Sequence, residues 1–334
     1  MSDEGNGHNL TAPPLGSSLA AAVRSLPPLG FLLLSLALVF FLYQVVGGIV
    51  TVVIFTLSSQ GAMRTGLSEG GINLFRWATM AGQVLFLLAP TLFLARVRRP
   101  EVANFFRVQP VPLKQVVPTI LAVIALQQLL QGYLLLQEAI PSPFPEWIQR
   151  IISDARDAMD LLSSRIVSAH SPAELLVVVL VIAVTPAFCE ELLFRGLVQR
   201  TFEETFRGVG APVAAGILFG LFHLNPFSLV PLCALGVYFG WMVYRSQNIS
   251  IAIVAHFVNN LVACLGAYFA LDEAFLPVAP SAQPTPLLIA VNYGVSALVF
   301  VASTLYFIRT TIRLTQPRPP VDTHTVEDPD HGVL

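Results

Sequence analysis

Long apolar stretches separated by short polar segments run along most of this 334-residue chain. A bilayer has a hydrocarbon core of about 30 Å, which a helix crosses with about 20 apolar residues. The pattern predicts eight such helices, at 29–57, 77–95, 115–136, 174–200, 210–224, 227–244, 249–271 and 285–308. The fifth is short, because Pro226 stops a helix. The chain is therefore predicted to be an all-α, polytopic membrane protein with about eight transmembrane helices.

The predicted spans divide the chain into six segments. A polar N-terminal tail precedes three spans, an outer loop separates these from a group of four spans, and a last span precedes a C-terminal tail. The tails contain Pro, Gly and charged residues and are predicted to be disordered. In order, the segments are 1–28, 29–136, 137–173, 174–271, 285–313 and 314–334.

The outer loop contains a helical pattern of its own. Apolar residues recur at spacings of three and four from Ile148 to Ile166, which predicts an amphipathic helix. Such a helix either lies on the outer bilayer surface or covers a substrate path.

Composition agrees with a membrane protein and narrows its partners. Hydrophobic residues make up 55% of the chain and charged residues 11%, against about 25% charged residues in soluble domains. The net charge of −2 implies no nucleic-acid partner. Cys189, Cys233 and Cys264 all lie in apolar runs, so we expect them to pack in the core rather than form disulfides.

Basic residues predict the orientation. The loop after the second span, from Arg96 to Lys114, is rich in Arg, and cytoplasmic loops carry an excess of Lys and Arg. The junctions after the fourth, sixth and eighth spans also carry Arg. Eight spans then predict that both termini are cytoplasmic.

A small set of strongly polar residues lies at membrane depth in the last five spans. An ionised group there costs roughly 2.5–3.5 kcal/mol on insertion scales, so such residues usually face the bundle interior and mark a functional site. The set comprises Glu190, Glu191, Arg195, His223, His256 and Asn260. The site is therefore predicted to lie inside the helical bundle.

Helix geometry separates these residues by role. Glu191 and Arg195 are four residues apart with the acid first, the favourable order for an ion pair. Glu190 lies about 100° round the helix, free for chemistry or as a second partner of Arg195. His256 and Asn260 are also four residues apart and share one face.

The same geometry predicts a common depth. At 1.5 Å per residue from the turns that join the spans, Glu190, His223, His256 and Asn260 fall in one layer about three helical turns thick.

The residue types suit hydrolysis of an amide without a covalent intermediate. A carboxylate and a histidine can together deprotonate a water, and a second histidine and an amide can donate hydrogen bonds to an oxyanion. The sequence contains no H-E-x-x-H zinc-protease motif. Two histidines and a carboxylate could instead bind zinc.

Three short motifs carry a resemblance to a known family. "EELLFR" at 190–195, "FGLFH" at 219–223 and "HFVNN" at 256–260 resemble the E-E-x-x-x-R, F-x-x-x-H and H-x-x-x-N motifs of the CAAX-protease and bacteriocin-processing (CPBP, or Abi) family. The order and separation of the motifs are also similar, and the resemblance covers about 174–271.

The resemblance implies an intramembrane endopeptidase like the type II CAAX prenyl proteases, of the glutamate type and independent of metal. By the same resemblance, Glu190 and His223 activate the water and His256 and Asn260 form the oxyanion hole. The supporting residues are Glu191 and Arg195. The implied partners are a peptide or protein substrate, lipidated or not, and the lipid bilayer, with no cofactor and zinc disfavoured. The implied location is the bacterial cytoplasmic membrane.

Two other functions stay open beside the peptidase. One is a non-catalytic immunity or scaffolding protein of the same family, which the intact motifs count against. The other is a proton-coupled transporter that titrates Glu190. Transporters usually show inverted repeats and broken helices, and we find no convincing sign of either in the sequence.

Overall fold

The computed structural model describes residues 21–58, 69–99, 101–140, 143–270 and 285–311. Within those residues every regular element is a helix. The C-terminal tail, most of the N-terminal tail and the acidic segment at Asp272 and Glu273 lie outside the described residues, so the predictions made for them stay predictions.

Ten helices form the bundle in the described residues, and residues 21–25 before them are also helical, so the disorder predicted for the N-terminal tail is wrong there. Seven of them, α1, α2, α4, α6, α8, α9 and α10, are long and apolar enough to cross a membrane. In chain order the helices are α1 Pro28–Ile54, α2 Gly71–Arg98, α3 Val102–Phe106, α4 Leu113–Ala139, α5 Glu146–Val167, α6 Pro172–Glu203, α7 Gly210–Phe222, α8 Leu229–Ser246, α9 Ser250–Phe269 and α10 Pro286–Thr310. The fold confirms the predicted all-α, polytopic membrane protein.

The fifth predicted span differs from its prediction. Helix α7 has 13 residues, which span about 20 Å, too short for a hydrocarbon core of about 30 Å. The chain turns after it because Leu224 adopts a left-handed conformation (φ 52°) and Pro226 cannot continue a helix. The Asn225 side chain accepts the backbone N–H groups of Phe227 and Ser228. His223 therefore lies at the end of a helix that stops part-way across the hydrocarbon core.

Helices α7 and α8 cross at very close range. A Cβ atom on Gly236 would lie 2.6 Å from the Gly216 carbonyl oxygen, and one on Gly216 would lie 2.3 Å from the Val237 nitrogen. Glycines allow helix backbones in membranes to approach this closely. The crossing sets the position of His223 relative to α8.

Four π-helical stretches interrupt the long helices. They lie at Phe41–Gly47 in α1, Gln83–Leu88 in α2, and Val179–Val184 and Leu192–Val198 in α6. Single π-helical turns occur frequently at functional sites. Each of these four stretches contains a polar group of the site described below.

The amphipathic helix predicted in the outer loop is α5, and none of its residues is buried. Buried Arg76 of α2 holds its C-terminal end, donating to the carbonyls of Ile166 (2.9 Å) and Ser168 and to Glu174 (2.7 Å). Whether α5 rests on the bilayer surface or covers a substrate path stays a prediction.

Candidate active site

A cavity of about 290 Å³ lies between α2, α6, α7, α8 and α9. Its wall is mostly apolar and contains Val181, Leu232 and Phe239. The structure brings four predicted site residues to this one cavity, from α6, α9 and the turn after α7: Glu190, His223, His256 and Asn260. Thr79 and Gln83 of α2 also line it.

Glu190 and His223 face each other across the cavity. Glu190 Oε2 lies 3.6 Å from His223 Nε2. His223 Nδ1 lies 2.7 Å from the Phe219 carbonyl oxygen, and because a carbonyl only accepts hydrogen bonds, Nδ1 carries the proton. That carbonyl is available because the backbone N–H of His223 bonds instead to Gly220 (3.3 Å). The second ring nitrogen, Nε2, faces Glu190.

Glu191 joins two partners through one oxygen. Its Oε1 accepts Arg195 Nη1 at 2.7 Å and His256 Nδ1 at 2.8 Å. Glu191 and Arg195 are fully buried. The ion pair expected from the spacing is present, and His256 is an additional partner that spacing within one helix does not reveal. The contact fixes the orientation of the His256 ring.

Helices α7 and α8 supply the remaining contacts of Arg195. Its Nη2 donates to the Gly236 carbonyl at 2.8 Å. Its guanidinium lies over the rings of Phe219 (4.8 Å) and Phe239 (5.5 Å), and aromatic faces attract cations at this range. Arg195 thus connects α6 to both helices of the close crossing.

Asn260 is held by the carbonyl of Ile182 in α6, four residues before a proline. The residue four after Ile182 is Pro186, which has no N–H. Asn260 Nδ2 donates to the Ile182 carbonyl at 2.9 Å, and Asn260 Oδ1 accepts Asn259 Nδ2 at 3.0 Å. An amide nitrogen carries two N–H groups, so these contacts leave one uncommitted.

Two glutamines of the N-terminal helices reach the site and were missed by sequence reasoning. Gln83 Nε2 donates to Glu190 Oε1 at 3.3 Å. Gln44 Nε2 donates to the carbonyl of Phe222, the residue before His223, at 2.6 Å. Their signal in the sequence was a neutral amide within an apolar span, which is weaker than the signal of a charged residue.

The zinc alternative needs two histidines and a carboxylate whose donor atoms converge on one point. Across the described residues, no three His, Cys, Asp or Glu side chains come together to hold a metal ion. The three cysteines are free, with Cys189 and Cys264 buried, as expected for core residues.

Comparison with known proteins identifies the part of the chain that forms this site. Residues 172–262 match the family model described as type II CAAX prenyl endopeptidase Rce1-like. The chain carries an Rce1-like domain. No curated protein and no solved structure matches the chain.

The Rce1-like domain contains α6, α7, α8 and the first part of α9, and with them all six predicted polar residues. The family of this domain indicates a protease of the general CAAX-protease type. The seven long apolar helices indicate an integral membrane protein. Three long helices precede the matched segment: α1, which carries Gln44, α2, which carries Gln83, and α4.

Proposed function

We propose that the Rce1-like domain is a catalytically active intramembrane endopeptidase of the glutamate type, which hydrolyses a peptide bond without a metal ion. The observation that supports this most directly is the 3.6 Å separation of Glu190 Oε2 from His223 Nε2. Two atoms at that distance can both form hydrogen bonds of ordinary length to one water oxygen.

The tautomer of His223 determines which atoms of the pair can accept a proton from the water. In the neutral ring with Nδ1–H bonded to the Phe219 carbonyl, Nε2 carries a lone pair, and this lone pair and the Glu190 carboxylate are the two proposed acceptors beside the water. One of these two acceptors takes a proton from the water while the water oxygen attacks the carbonyl carbon of the substrate. The same proton then passes to the leaving amine. Such general acid–base groups typically contribute about 10²–10⁴-fold in rate.

His256 and Asn260 are proposed to stabilise the oxyanion. The Glu191 carboxylate orients the His256 ring through Nδ1, and Nε2–H of that ring is the proposed donor. Asn260 supplies the N–H that its bond to Ile182 leaves uncommitted. Fixed donors of this kind lower the barrier because they need no reorganisation during the reaction.

Charge distribution supports a cytoplasmic opening for the site. At one end of the bundle, Arg98 of α2 pairs with Glu204 at 2.9 Å, and Arg107 pairs with Glu203 at 2.7 Å. Because cytoplasmic loops are enriched in Arg, we propose that this end faces the cytoplasm of a bacterial cell and that both termini lie there. Substrate and water then enter from the cytoplasm or the inner leaflet, and the substrate, lipidated or not, is a peptide or protein.

The test compares Glu190→Gln and His223→Gln with the native protein and with Glu146→Gln, an exposed glutamate on α5. Purified proteins are assayed on a farnesylated CAAX peptide, and membrane proteomes of cells that express each protein are compared for altered termini. We expect both site variants to lose about 10²–10⁴-fold in rate at normal abundance, while Glu146→Gln retains native activity. Native activity in either site variant contradicts the proposal. Termini that are identical in native and variant cells, with no cleavage of the peptide, favour the non-catalytic alternative.

A further inference from the structure

Gln83 holds one oxygen of Glu190 and leaves the other toward His223. Its side chain is buried, at 4% exposed, and its Nε2 donates to Glu190 Oε1 at 3.3 Å. The other oxygen, Oε2, is the one that lies 3.6 Å from His223. Because the bond restricts rotation of the carboxylate, it favours the orientation in which Oε2 faces the histidine.

Gln44 holds the other member of the pair through its backbone. The residue four after Phe222 is Pro226, so the Phe222 carbonyl has no helical N–H partner there. Gln44 donates to that carbonyl at 2.6 Å. The neighbouring Tyr43 ring stacks on the Phe222 ring, with centroids 6.1 Å apart and planes 9° apart. These contacts fix the last turn of α7 immediately before His223.

The two glutamines belong to neighbouring helices outside the matched segment. Both lie in π-helical stretches, Phe41–Gly47 and Gln83–Leu88, and these stretches contact each other. A Cβ atom on Gly47 would lie 3.2 Å from the Phe86 ring, so α1 and α2 approach closely between the two glutamines. The helices thus form one rigid support with two polar contacts to the site.

We propose that the α1–α2 pair holds Glu190 and His223 at their working separation, with Gln83 and Gln44 as positioning residues. This inference rests on the proposed function, because it assigns the support of the same water-activating pair. A purely structural role is the alternative, since side-chain amides also bond helices together in membranes. The two roles differ in what they change. A structural contact affects the amount of folded protein, whereas a positioning contact affects the turnover of each folded molecule.

The first experiment measures kcat and KM of Gln44→Leu and Gln83→Leu on the farnesylated CAAX peptide, per folded protein recovered by size-exclusion chromatography. Gln127→Leu is the matched control, because Gln127 is a partly buried glutamine of α4 that does not line the cavity. Hydrogen bonds to charged groups contribute about 1.5–3 kcal/mol, so we expect kcat of Gln83→Leu to fall about 10–100-fold. Gln44 does not line the cavity either, so Gln44→Leu should lower kcat about 10-fold without changing KM.

The second experiment needs no substrate. Cryo-electron microscopy of the native protein, Gln83→Leu and Gln127→Leu compares the separation of Glu190 and His223. We expect a separation near 3.6 Å in the native and control proteins, and one that is larger by more than 1 Å in Gln83→Leu.

The outcomes distinguish this inference from the proposed function. If Glu190→Gln is inactive while both leucine variants keep native kcat, or if the separation is unchanged in Gln83→Leu, the positioning role is wrong and the proposed function stands. If Glu190→Gln keeps native activity, the proposed function itself is wrong. The positioning role of Gln44 is also wrong if Gln44→Leu and Gln127→Leu have the same kcat per folded protein.

Discussion

Replacing Arg195 by leucine should destabilise the protein strongly. Arg195 and Glu191 are fully buried and lie 2.7 Å apart, and Arg195 also bonds to the Gly236 carbonyl. Removing one partner of a buried pair leaves an uncompensated buried charge and costs about 3–5 kcal/mol. We expect Arg195→Leu to lower the free energy of unfolding in bicelles by that amount.

A double variant separates stability from chemistry. Replacing both members of a buried ion pair by apolar residues is often neutral or stabilising, by about 1–4 kcal/mol. We therefore expect Glu191→Leu/Arg195→Leu to recover most of the stability that Arg195→Leu loses. Activity should not recover, because His256 Nδ1 then has lost its acceptor, Glu191 Oε1. Loss of one oxyanion donor typically costs about 10²–10³ in kcat.

An exposed pair of the same type and spacing provides the control. Arg150 lies 3.9 Å from Glu146 on α5, with side chains 76% and 92% exposed. Exposed pairs contribute little to stability, so Arg150→Leu should unfold like the native protein. Equal stability of Arg195→Leu and Arg150→Leu would refute the reasoning about the buried charge. A double variant that regains activity would refute the role of Glu191 in orienting His256.

Three further predictions address packing, metal and orientation. Gly236→Ala should destabilise the protein by about 1–3 kcal/mol through overpacking, because its Cβ would lie 2.6 Å from a backbone oxygen. The control Gly294→Ala should be neutral, because its Cβ would meet nothing within 4 Å. Equal melting temperatures of the two variants would contradict this prediction. Prolonged chelation should leave hydrolysis unchanged, and loss of activity that one metal ion restores would instead indicate a metal-dependent reaction. In a cysteine-free background, a cysteine at Gly208 should resist a membrane-impermeant thiol reagent added to intact cells and one at Ala274 should react; labelling of Gly208 from outside would invert the proposed orientation.

Regular spacing made much of the fold and part of the site predictable. The apolar runs gave the spans, and the four-residue spacing of Glu191 and Arg195 gave their ion pair, because both depend only on helix geometry. The contact of His256 with Glu191 was not predictable in this way, since it depends on how α6 and α9 are rotated toward each other. Gln44 and Gln83 were missed for a related reason. Uncharged amides cost less to place in a membrane than charged groups, so their signal in the sequence is weaker than that of Glu190 or Arg195.

The length of α7 affects how the chain enters the membrane. A helix of 13 residues offers too little apolar surface to partition into lipid by itself, and the turn that follows it carries backbone groups that lipid cannot satisfy. We therefore expect α7 and α8 to enter the membrane as one hairpin, joined at Gly216 and Gly236. We then expect a bulky residue at that crossing to lower the amount of correctly inserted protein, in addition to destabilising the folded bundle.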